Sequence, residues 1–270
     1  MALSAQPIAD LSAWGNPVSV TNAGGKGAAI VVCEHASNHI PADLGGLGVD
    51  EAVQRSHVAW DPGALAVAST MAATLDAPLV AAKISRLVYD CNRPPEAESA
   101  MPAVSEIYEI PGNAGLTKMQ RAERAERIYF PFRDTLEQVI EDRVAAGLHP
   151  AIVTVHSFTP IYKGVERPFD LGILHDADSR LADAMLDQPE AFDGLDVRRN
   201  EPYGPADGVT HTLKVHALPR GLLNVMIEIR NDIIRETAQQ RVMAERLSRA
   251  VARALELCAA ADGNRVGQQK

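Results

Sequence analysis

Ala28-Ala29-Ile30-Val31-Val32-Cys33 runs straight into Glu34-His35-Ala36-Ser37-Asn38-His39. A short apolar run rich in β-branched residues suits a buried strand. Charge arriving abruptly at its end marks the place where an open α/β sheet puts its chemistry, outside the carboxyl ends of the strands. A second stretch repeats the pattern, since Ala151-Ile152-Val153-Thr154-Val155 is followed at once by His156-Ser157-Phe158-Thr159-Pro160.

Outward from these two runs, apolar segments at 77–82, 169–174 and 223–230 predict further strands. Helical patterns cover 64–75, 117–146, 179–186 and 237–261, with Thr117 as a cap and Gly147 as a stop for the second. Strands alternating with helices predict an α/β fold, a three-layer α/β/α sandwich with a mixed, largely parallel sheet. Residues 1–26 read as a turn-rich lead-in, 187–210 as loop-rich, and 262–270 as a frayed polar tail. No repeat or linker interrupts the chain, so 1–270 is read as a single domain. The Pro- and Gly-rich stretch 94–116 is a long excursion of the kind that is functional or mobile, and 158–168 is a second such loop.

The 270 residues carry a formal net charge of −9, which argues against a phosphate-tracking nucleic-acid binder. It leaves room for an anionic small substrate, because a few arginines can outweigh a negative exterior locally. The three cysteines, Cys33, Cys91 and Cys258, are far apart and form no CxxC pair, so neither a thiolate zinc site nor a redox pair is expected. The expectation is a reduced, cytoplasmic chain with no signal peptide and no membrane span. Oligomeric state is not readable.

His35 and His156 each follow a buried strand directly, and neutral imidazole is a common metal ligand. A catalytic metal usually takes three protein ligands. Asp61, Glu34 and Asn38 are the alternatives for the third, with Asp61 favoured by charge; its competing reading is a helix N-cap. Arg86, Asn92 and Arg93 could clamp an anion through planar guanidinium forks. Glu228 lies within Val225-Met226-Ile227-Glu228-Ile229, where burial raises a carboxyl towards the range of a general base. Arg230 falls on the same face by strand alternation, as a substrate contact or as a structural partner of Glu228. Lys163 and His211 are further candidates for substrate contact.

Five segments in order resemble the N-formylglutamate amidohydrolase family: Cys33-Glu34-His35-Ala36-Ser37-Asn38-His39-Ile40-Pro41, Trp60-Asp61-Pro62-Gly63-Ala64, Ser85-Arg86-Leu87-Val88-Tyr89-Asp90-Cys91-Asn92-Arg93, Val155-His156-Ser157 and Ile227-Glu228-Ile229-Arg230-Asn231-Asp232. That family is similar to the zinc carboxypeptidases and aspartoacylases. The resemblance implies a zinc-carboxypeptidase-like fold with Zn2+ at the sheet edge and His35 and His156 as ligands. It implies Glu228 as the general base and Arg86 as the group polarising the scissile carbonyl. Asp90-Cys91-Asn92-Arg93 is similar to the Asp-Leu-Asn-Arg of aspartoacylases, which gives Asn92 and Arg93 the substrate carboxylate. The relatives' His-x-x-Glu is His35-Ala36-Ser37-Asn38 here, so the third ligand stays open. The expected reaction is hydrolysis of an N-formyl or other N-acyl amino acid, with N-formyl-L-glutamate first. The alternatives are an amidase or peptidase on another carboxylate-bearing conjugate, and a non-catalytic binding protein that keeps the pocket.

Overall fold

The computed structural model describes residues 14–267, with side chains through residue 261. In chain order the elements are β1 (Val18–Thr21), β2 (Ala29–Cys33), α1 (Glu51–Arg55), α2 (Ala64–Thr74), β3 (Leu79–Ala82), β4 (Val104–Ser105), β5 (Tyr108–Glu109), α3 (Lys118–Arg124), α4 (Phe130–Ala145), β6 (Ala151–Phe158), β7 (Ile161–Tyr162), β8 (Val165–Glu166), β9 (Leu171–Leu174), α5 (Arg180–Leu186), β10 (Val197–Arg199), β11 (Asn224–Arg230) and α6 (Thr237–Gly267). Seven strands form one sheet in the order β1-β3-β2-β6-β11-β9-β10. The central four, β3, β2, β6 and β11, run parallel. β1 is antiparallel to β3, and β9 is antiparallel to β11. The mixed, largely parallel sheet between helical layers is the architecture expected from the alternation of elements.

The parallel strands are buried on both faces, which is why they read as continuous apolar runs. Val31, Val153 and Ile227 pack with Val67, Met71, Leu181 and Leu247 of the α2, α5 and α6 layer. Their sequence neighbours Ile30, Ile152 and Met226 face the other way, against Phe132, Leu136 and Ile140 of α4. Period-two alternation thus builds two cores from one set of strands, and each fully buried side chain of this size contributes ~1.5–3 kcal/mol.

Several elements depart from the sequence reading. The lead-in contains β1, and the loop-rich 187–210 contains β10, both half-exposed edge strands. The final helix passes Ala261 and ends at Gly267. The expected helix over 117–146 does begin at a Thr117–Gln120 capping box. It is divided, however, by a π-helical turn at Ala125–Tyr129 just before Pro131. Proline has no N–H to return to the preceding turn, and a widened turn absorbs that loss. The expectations of an N-terminus without a signal peptide and of a frayed extreme C-terminus lie outside the described residues. All three cysteines are buried. No described helix is long and apolar enough to cross a membrane.

Candidate active site

Parallel alignment puts the carboxyl ends of β2, β6 and β11 side by side. Glu228 stands in register with His156, while Glu34 and His35 follow the last residue of β2. Asp61 arrives from the turn before α2, where Gly63 takes φ +82° as the residue preceding the helix. A Cβ on Gly63 would sit 2.6 Å from the Ile234 carbonyl oxygen, so the tight turn that delivers Asp61 requires glycine.

The three side chains converge. His35 Nδ1 lies 3.2 Å from Asp61 Oδ2, His156 Nδ1 lies 3.0 Å from the same oxygen, and the two Nδ1 atoms are 3.2 Å apart. All three residues are buried, and together they could hold a metal ion. Donors in tetrahedral contact with zinc stand about 3.3 Å from one another, given Zn–N and Zn–O near 2.0–2.1 Å. The observed triangle fits that spacing. Asp61 is therefore not the helix cap of the competing reading: its carboxylate faces both imidazoles, Arg86 and the Ser157 N–H.

The outer ring nitrogens also meet carboxylates. His35 Nε2 is 2.7 Å from Asp90 Oδ1, and His156 Nε2 is 3.1 Å from Glu34 Oε2. The second is an ion-pair contact without the alignment of a strong hydrogen bond, and His156 holds the Glu34 carboxyl down against the effect of burial. A carboxylate behind a histidine fixes its tautomer and turns the opposite nitrogen towards a metal. Glu34, an alternative third ligand on sequence grounds, thus stands behind His156. Asn38, the other alternative, donates its amide to the Gln54 carbonyl at 3.1 Å.

Charge follows from this crowding. Burial pushes Asp61 up, but His35, His156 and Arg86 override it and hold the carboxyl well below its usual range. Asp90 is held down in the same way by His35 and Arg86. Burial opposes protonation of both histidines, yet the carboxylates around them win and raise both. With both rings deprotonated, as metal binding requires, Asp61, Asp90 and Glu34 face only Arg86, and the cradle then carries the negative charge that suits a dication. Glu228 behaves differently: burial raises its carboxyl to about 7, with Asp61 adding to the rise and His156 opposing it. Its Oε2 has no hydrogen-bond partner among the described residues.

The other expected residues divide. Arg86 lines the cavity and is braced by Asp61 Oδ1 at 3.2 Å and Asp90 Oδ2 at 2.9 Å. Arg93 lines it too, donating to the Asn92 carbonyl at 2.8 Å with no carboxylate partner among the described residues. Asn92 reaches the cavity, but its Oδ1 accepts the Thr212 N–H and its Nδ2 donates to the Val209 carbonyl, so its amide secures that segment. Arg230 does not join the site as a substrate contact. It is held by Asp170 at 3.0 Å, Asp232 at 2.7 Å and the Pro168 and Phe169 carbonyls, and it does not pair with Glu228. Lys163 and His211 are also outside the cavity lining; His211 is 2.8 Å from the Tyr129 hydroxyl.

The cavity measures about 480 Å³, within the range of small-molecule sites. Sequence reading missed several of its walls. His57 Nε2 meets Glu106 Oε2 at 2.6 Å, and Glu106 Oε1 accepts the Lys163 N–H at 3.1 Å. This joins the β4–β5 hairpin tip to the β7–β8 tip. Tyr162, Arg167 and Tyr203 complete that side. The two long loops singled out at 94–116 and 158–168 are the segments that carry these hairpins.

A family model described as N-formylglutamate amidohydrolase matches residues 27–235. No curated protein matches the chain. Among solved structures, a gene product of Agrobacterium tumefaciens is 55% identical with a TM-score of 0.88, covering 90% of this chain and 96% of its own. An N-formylglutamate amidohydrolase from Ralstonia eutropha JMP134 is 20% identical with a TM-score of 0.61, covering 88% of this chain and 99% of its own.

Proposed function

The chain belongs to the N-formylglutamate amidohydrolase family, and from that premise we propose that it hydrolyses the amide bond of an N-formyl amino acid, N-formyl-L-glutamate first, with zinc held by His35, Asp61 and His156. The observation that carries the reading is the buried triangle of two Nδ1 atoms and one carboxylate oxygen, beside an ionisable Glu228. When bound, zinc supplies Lewis-acid chemistry, making a water more acidic and polarising an amide carbonyl.

The chain's own residues supply the rest. Glu228 takes a proton from the attacking water as its oxygen adds to the formyl carbon. It returns that proton to the amine nitrogen as the C–N bond breaks, so that formate and the free amino acid leave. A carboxyl raised to about 7 is suited to both transfers near neutral pH. Arg86, braced by two carboxylates, offers its remaining N–H groups to the oxygen on which negative charge develops. Arg93 holds the substrate α-carboxylate, reducing the entropy lost in reaching reactive geometry. Asn92 supports this by fixing the 209–212 segment. An unpaired buried base is costly to keep for binding alone, which favours turnover over a binding role.

The test is formate release by zinc-loaded protein against N-formyl and N-acetyl amino acids. Formate from N-formyl substrates, abolished by chelation and restored by zinc, is the expected result. Release of acetate alone, or of neither acid, would exclude the proposed reaction.

A further inference from the structure

Arg167 is held in an unusual way for a half-buried cation. Its backbone N–H closes the base of the β7–β8 hairpin on the Pro160 carbonyl at 2.8 Å. Its guanidinium carbon lies 4.4 Å from the Tyr162 ring centroid and 4.8 Å from that of Tyr203. Nη1 donates to the Tyr203 hydroxyl oxygen at 3.1 Å. Among the described residues no Asp or Glu pairs with it. Arg86 and Arg230, by contrast, each carry two carboxylates. Aromatic faces fix a guanidinium without neutralising it, so this side chain presents a pre-oriented, uncompensated charge to the cavity. Tyr203 adds a second donor: its oxygen accepts from Arg167, leaving its proton free for an incoming oxygen.

Two unpaired guanidinium groups now line one small cavity, Arg93 and Arg167, on segments far apart in sequence. A single N-formyl amino acid has only one α-carboxylate to offer them. We infer that Arg167, clamped between Tyr162 and Tyr203, is a specificity-determining residue that recognises a second carboxylate, on the side chain of a dicarboxylic amino-acid substrate. This rests on the proposed deformylation for its substrate class, with Arg93 taking the α-carboxylate.

N-formyl-L-glutamate and N-formyl-L-glutamine differ by that charge at nearly constant shape, so their kcat/KM ratio isolates it. In Arg167→Met the glutamate substrate should lose about 10- to 100-fold in kcat/KM, the scale of a lost charge-assisted hydrogen bond. The glutamine substrate should change by less than about 3-fold and serves as the control for folding. Arg93→Met should lower both together, and Tyr203→Phe should narrow the ratio without abolishing it. Equal losses for both substrates in Arg167→Met, or an unchanged ratio, would overturn the inference. A second arm needs no turnover: glutarate should bind the zinc-loaded wild type more tightly than butyrate, and the difference should vanish in Arg167→Met. Were the wild type to turn over neither formyl substrate, the proposed reaction would fall, and the glutarate comparison alone would decide on Arg167. Equal binding of glutarate and butyrate to the wild type would overturn the assignment.

Discussion

Asp90 ligates nothing in the proposed arrangement, yet it holds His35 Nε2 at 2.7 Å and Arg86 Nη2 at 2.9 Å. One carboxylate therefore orients both a metal ligand and the residue proposed to stabilise the oxyanion. Asp90→Asn should weaken zinc binding about 10- to 100-fold, measured by competition with a chelator of known affinity; unchanged affinity would remove Asp90 from this role. Glu228→Gln should keep zinc while kcat falls about 10²- to 10⁴-fold; retained turnover would exclude Glu228 as the base. The base must be ionised to act, so activity is present above its pKa and lost as pH falls through it. A nearby dication favours the ionised form and draws that pKa downwards. The acid limb of kcat/KM should thus lie between the ordinary carboxylate range and about 7, and a limb centred at pH 4 or below would contradict the assignment. His35, His156 and Asp61 were legible because each sits at a sharp break between apolar strand or turn and polar residues. The supporting places of Asp90 and Glu34 were not, because they exist only once two strand ends meet. Arg230 was misplaced by alternation: the rule sets direction along a strand, but β11 ends there against Asp170 and Asp232.

The segment that bears Arg86, Asp90 and Arg93 forms no helix or strand, so something else must hold it. Buried Arg124 of α3 donates to Asn113 Oδ1 at 2.6 Å, to the Gly112 carbonyl at 3.0 Å and to the Val88 carbonyl at 3.3 Å. Asn113 in turn donates to the Leu87 and Pro102 carbonyls. Burial lowers the Arg124 guanidinium to about 10. Arg124→Met leaves several acceptors unsatisfied and should cost on the order of 2–4 kcal/mol, read as a lower denaturation midpoint; a change below about 0.5 kcal/mol would show that the clasp is idle. On the far side, Gly172 of β9 pairs with Glu228, and a Cβ there would overlap the Glu201 carbonyl. Gly172→Ala should push the 201–203 segment and Tyr203 outwards, raising KM more than it lowers kcat; normal KM with normal stability would refute this. The central strands were readable as uninterrupted apolar runs. β1 and β10 were not, since edge strands are short, half polar and ordered mainly by the neighbour they pair with. The two-residue strands of the β4–β5 and β7–β8 hairpins leave no period to detect, and Arg167 was missed because it depends on Tyr162 of the second hairpin meeting Tyr203 from a distant loop.

At the scale of the molecule, the parallel strand ends gather Glu34, Asp61, Asp90 and Glu228 around two imidazoles, with Arg86 as the cation that directly bridges Asp61 and Asp90. With the two imidazoles deprotonated, as ligation requires, so much buried negative charge opposes folding unless a cation joins it. Zinc that binds the folded state alone should stabilise it by about 2.7 kcal/mol at a hundred times Kd, or roughly 5–10 °C in Tm for a chain of this size. Thermal unfolding with and without chelator measures this directly, and an identical Tm in both would argue that no metal is held. The most direct test of the central claim is calorimetric titration of chelator-treated protein with zinc, in wild type, His35→Ala and His156→Ala. One equivalent should bind the wild type tightly, with that site lost in both variants while their circular dichroism stays native. No saturable binding to the wild type, or a site that survives both substitutions, would contradict a metal centre built from His35, Asp61 and His156.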